Sequence, residues 1–93
     1  MAVLYGSFAR GEATTRSDLD LMIIGDATDR ALVPAIAKAE QFLRREVSYT
    51  RYPREEAHEQ IRQRDSFVHN VLAGPAVLVL GSSDDELFAL ARR

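Results

Sequence analysis

Two short runs in this 93-residue chain carry side chains suited to chemistry on phosphates. The first, Gly6-Ser7-Phe8-Ala9-Arg10-Gly11, is a glycine–serine turn that follows the apolar stretch Ala2-Val3-Leu4-Tyr5. The second, Ser17-Asp18-Leu19-Asp20-Leu21, opens another apolar stretch that runs to Ile24. Glycine lets the chain turn sharply and lets an anion come close to the backbone. A helix beginning just after a strand exposes unpaired N–H groups that bind anions. Ser7 adds a hydroxyl donor at the same place. Asp18 and Asp20, two residues apart at a strand start, point to one face. Carboxylates held that way repel each other unless a cation lies between them, and Mg²⁺ is the natural hard-oxygen guest. Bridged to a triphosphate, such an ion would orient the phosphates and neutralise charge developing during transfer. Either run alone is an ordinary turn or cap. Spaced as Gly-Ser-x9-Ser-Asp-x-Asp between two strands, they point to nucleotide chemistry with a divalent cation.

The elements that must position these groups alternate along the chain. Ala2–Tyr5 reads as a short buried strand stopped by Gly6, and Ser7–Arg10 as a short helix facing its end. Leu19–Ile24 reads as a second strand, ended by Gly25-Asp26. A helix is expected from Asp29 to Arg45, with Leu32, Ile36, Ala39 and Leu43 at helical spacing and Pro34 tolerable only near its first turn. Glu46–Tyr52 alternates like a strand, with Val47, Tyr49 and Arg51 on one face and Glu46, Ser48 and Thr50 on the other. Pro53 opens a polar helix with Glu55 and Glu56 in its first turn. Ser66–Leu72 is a further helical segment ended by Gly74, and Ala76–Leu80 a strand. Ser83-Asp84-Asp85-Glu86 is a capping box that starts a terminal helix. The expected fold is a single small α/β (α+β-like) domain over residues 1–93, a mixed sheet of about four strands flanked by helices.

Composition narrows the classes. A chain this short buries roughly 60–65% of its unfolded surface, which gives a modest core. There is no cysteine, so neither disulfides nor thiolate metal sites are available, and a cytoplasmic home is the simplest expectation. No leader or 18-residue apolar run is present, so neither secretion nor membrane spanning is expected. The net charge of −2 offers no footprint for nucleic acid, so no direct nucleic-acid binding is expected, and eleven of the twelve basic residues are arginine. Met1 stands directly before the first strand, which predicts trimming or a partner surface over that flank. His58 reads as solvated, His69 as a packing or partner residue, and Tyr49, Tyr52 and Phe67 as core.

Residue for residue, Gly6–Gly11 and Ser17–Leu21 resemble the defining motif of the minimal nucleotidyltransferases of the DNA polymerase β-like superfamily. The match is specific from Leu4 to Ile24 and architectural beyond it. The resemblance implies that Gly6 and Ser7 hold the nucleotide phosphates, with Arg10 and Ser17 on the nucleotide side. Asp18 and Asp20 would ligate catalytic Mg²⁺, two ions when the site is complete. Such proteins transfer a nucleotidyl group, usually AMP from ATP, to a hydroxyl. Small stand-alone members commonly act as antitoxins beside a helical HEPN-type partner, others are fused to DNA-binding domains, and a homo-oligomer is a further arrangement. The family adds a third carboxylate from the next core strand, and here that position falls on Ser48. A neutral hydroxyl is a poor Mg²⁺ ligand and no general base near pH 7. Glu46 shares the face of Ser48 one strand repeat away, about 6.5 Å, and would reach the metals only in a shifted pairing. A catalytically impaired nucleotide-binding or regulatory module is therefore the alternative reading.

Overall fold

The computed structural model describes residues 1–12 and 18–93. The apolar runs around the motif become strands β1 (Ala2–Tyr5) and β2 (Leu19–Ile24), paired antiparallel with Val3 opposite Met22 and Tyr5 opposite Asp20. There follow α1 (Asp29–Leu43), β3 (Val47–Tyr52), α2 (Arg54–Arg62), α3 (Phe67–Ala73), β4 (Val77–Leu80) and α4 (Glu86–Ala91). The strands form one mixed sheet in the order β3-β2-β1-β4. β3 runs parallel to β2, so a crossover must join them, and α1 supplies it. β4 pairs antiparallel with β1. This is the α/β (α+β-like) architecture expected from the alternation of elements.

The period-2 pattern of the strands sorts the sheet into two faces. One face presents Val3, Met22 and Ile24 to α2, α3 and α4, where Ala57, Ile61, Val68, Leu72, Leu87 and Phe88 complete the core. The other face turns Tyr49 and Arg51 of β3 toward α1, where both bond the Asp29 carboxylate. α1 buries no residue fully, while Leu32, Ile36 and Ala39 are half-buried along its length. Among the described residues no helix is long and apolar enough to cross a membrane.

Several local expectations are corrected. Ser7–Arg10 is a set of turns, since Arg10 N–H bonds Gly6 C=O, Gly11 N–H bonds Phe8 C=O and Glu12 N–H bonds Ser7 C=O. Their spacings of four, three and five residues never repeat as a helical ladder. α1 stops at Leu43 because Arg44 turns left-handed (φ 56°), and Pro34 lies inside the helix on its exposed side. α4 starts later than the capping box at Ser83 implied, because Asp85 accepts from Leu87 N–H and takes over the cap. Asp85 is also held by a bidentate pair with Arg54 (2.7 and 3.1 Å), which fastens α4 to α2. His58 is half-buried beside Glu86 (3.3 Å) rather than solvated.

Candidate nucleotide site

Strand directions bring the chemistry to one end of the sheet. β1 ends there at Tyr5, and β2 and β3 begin there side by side. Gly6 leaves β1 with φ 73°, a conformation open to glycine at little cost. Its missing side chain matters for a second reason. A Cβ on Gly6 would stand 2.5 Å from Oδ2 of Asp20, so the carboxylate occupies the space that only glycine leaves. The glycine turn and the aspartate are thereby built as one unit. An open cavity of about 510 Å³ is lined here by Gly6, Ser7, Arg10 and Asp20 from the motif, and by Phe67 and Asn70 of α3.

Asp18 directly precedes β2 and is exposed, while Asp20 is half-buried within it. Arg10 lines the cavity while pairing with Glu12 at 3.2 Å. That exposed pair is worth little in water, so the guanidinium can turn to an anionic ligand at small cost. Ser17, expected on the nucleotide side, lies outside the described residues. Burial and the neighbouring Asp20 carboxylate push the Tyr5 phenol above its ordinary pKa. The nearby Thr50 hydroxyl acts more weakly the other way.

The third-carboxylate position is fixed by the β2–β3 register. Asp20 pairs with Ser48 directly, and Leu19 with Val47. Ser48, exposed, therefore stands one strand spacing from Asp20, about 4.8 Å. The shifted pairing that would bring in Glu46 does not occur. Glu46 precedes β3, its carbonyl accepts from Leu19 N–H (2.9 Å), and the same register sets it beside Asp18. Among the described residues no group of three or more metal-ligating side chains gathers. The donor set of Asp18 and Asp20 still suits Mg²⁺, which is commonly held by one or two carboxylates with substrate phosphates and water completing the octahedron.

Sequence reasoning assigned Phe67 to the core and gave Asn70 no role. Phe67 stays 40% exposed and both residues line the cavity. Ser66, whose side chain accepts from His69 N–H, was the available signal for where α3 starts, and the three-residue spacing of Phe67 and Asn70 makes them neighbours on it.

No curated protein and no solved structure matches the chain. A family model described as "Nucleotidyltransferase domain" matches residues 1–73, which include β1, β2, β3 and the whole of the cavity wall up to α3. Nucleotidyl transfer is the general activity of that family, and its members generally use Mg²⁺. The chain belongs to the nucleotidyltransferase-domain family.

Proposed function

We propose that this chain binds a magnesium-bound nucleoside triphosphate, with ATP as the working substrate, and transfers its nucleotidyl group to a protein or small-molecule hydroxyl. The observation that carries this reading is the packing of the Asp20 carboxylate against Gly6 in the cavity that Ser7 and Arg10 also line. The turn amides and the Ser7 hydroxyl would hold the phosphates, and Arg10 would offset their charge. Asp18 and Asp20 would hold the metal, which when bound supplies charge neutralisation at the phosphates. In the transfer, the acceptor oxygen bonds the α-phosphorus, the α–β bridging bond breaks, and pyrophosphate leaves with the electron pair. The acceptor proton needs a base, and the β3 position offers only the Ser48 hydroxyl.

That last observation favours a second reading, a nucleotide-binding or regulatory module with impaired transfer. As an antitoxin it would rest against a HEPN-type helical protein, or as a regulator against a DNA-binding domain. Val77, Val79 and Leu80 of β4, all exposed, give such a partner apolar surface to cover. Incubation with labelled ATP, Mg²⁺ and its genomic neighbour protein separates the two. Transfer by the wild-type chain supports the first reading. Transfer only after Ser48→Asp supports the second. Failure of both chains to transfer or to retain ATP would refute both.

A further inference from the structure

We propose that Phe67 and Asn70 of α3 form the base-recognition wall of the cavity and select adenine; this rests on the reading that the cavity holds a nucleoside triphosphate. The cavity lining is of two kinds. Ser7, Arg10 and Asp20 supply polar and charged groups, while α3 presents an aromatic ring and a side-chain amide to the same space. A nucleotide has two matching parts, with anionic phosphates at one end and a flat π-surface rimmed by donors and acceptors at the other. A volume of about 510 Å³ is ample for a ligand of that size.

Phe67 and Asn70 lie three residues apart on one helix, so they are neighbours on its surface. The Phe67 ring is braced by Tyr5, edge to face at 5.3 Å and 80°, and by Tyr52 at 6.3 Å. Braced in this way and 40% exposed, it is a preorganised stacking platform. Asn70 is exposed, and its amide oxygen lies 3.3 Å from Nδ1 of His69. With Nδ1 protonated, that contact holds the amide while leaving the oxygen's second lone pair and both N–H donors for a ligand. One acceptor beside one donor matches adenine, which offers its N6 amino group next to the N7 acceptor. Guanine offers two acceptors on that edge and would set O6 against the amide oxygen.

The test is calorimetric titration in Mg²⁺ of the full chain, Phe67→Leu and Asn70→Ala with ATP, GTP and inorganic tripolyphosphate, which has the phosphates without a base. Phe67→Leu keeps apolar bulk against Tyr5 and Tyr52, and thermal melts verify that both variants fold. The wild-type chain is expected to bind ATP about tenfold more tightly than GTP. Asn70→Ala should erase that preference, and Phe67→Leu should weaken both nucleotides about fivefold or more. Tripolyphosphate should bind all three proteins equally. Equal ATP and GTP affinity in the wild type, or ATP affinity unchanged in both variants, overturns the base assignment while tripolyphosphate binding leaves the phosphate site standing. Absence of ATP and tripolyphosphate binding to the wild type overturns the nucleotide reading itself, and the base assignment with it.

Discussion

β2 and β3 begin side by side at one end of the sheet and bring opposite chemistry to it. β2 delivers Asp20, with Asp18 just before it, and the glycine turn is shaped around the Asp20 carboxylate. β3 delivers Ser48 directly beside Asp20, and its next residue on that face, Thr50, buries a hydroxyl with no hydrogen-bond partner among the described residues. Holding an anion and its counter-cation needs only the β1–β2 side of this pair. Taking a proton from an acceptor needs the β3 side as well, and a serine cannot do that near pH 7. On the proposed reading, binding and transfer are separable in this fold, because adjacent strands would supply them.

Asp20→Asn breaks the stronger side of the comparison. It should weaken Mg²⁺-dependent ATP binding on the order of 100-fold, about 3 kcal/mol, as expected when one charged partner of a paired site is neutralised. Titration of ATP at fixed Mg²⁺ reads this directly. Ser48→Asp strengthens the weaker side and should raise the Mg²⁺ affinity of the ATP complex about tenfold, roughly 1.4 kcal/mol. Without Mg²⁺ the same substitution should lower the melting temperature, because a second carboxylate then crowds Asp20. Gly6→Ala tests the turn between them. The positive φ and the collision with Asp20 should cost about 1–3 kcal/mol of stability in denaturant unfolding.

The smallest expected effect comes from the opposite end of the sheet and serves as a control. Asp85→Ala removes the α4 cap and the Arg54 pair, costing about 1 kcal/mol of stability with ATP binding unchanged. Arg54 holds the Asp85 carboxyl below its ordinary pKa. A depressed carboxylate stabilises the fold above its unfolded pKa and loses that contribution as pH falls through the folded value. The gap between wild type and Asp85→Ala in melting temperature should therefore be full at neutral pH and close on acidification below the usual aspartate range.

Most of the scaffold was legible in the sequence because strong local signals agreed with the global fold. Gly6, Pro53 and Gly74 mark real element ends, and the alternation in Glu46–Tyr52 correctly set Ser48 on the site face. That placement depended on register, and the structure pairs Ser48 with Asp20 across the parallel β2–β3 ladder. Other features depended on contacts distant in sequence. The Gly6–Gly11 turns look like a helix to any local rule, and the cap at Asp85 wins over Ser83 because Arg54, 31 residues away, holds it. Phe67 looks like core because its partners Tyr5 and Tyr52 are half-buried against the core. Only the tertiary placement of α3 shows that part of its ring remains open beside the glycine turn.

The central claim is that the β1–β2 side suffices to hold a metal-bound triphosphate. Its most direct test is calorimetric titration of ATP into the wild-type chain with Mg²⁺ and again with the metal chelated. Saturable one-site binding in Mg²⁺ that is lost on chelation is the predicted result. Absence of binding in Mg²⁺, or binding of equal strength in both conditions, would contradict the account.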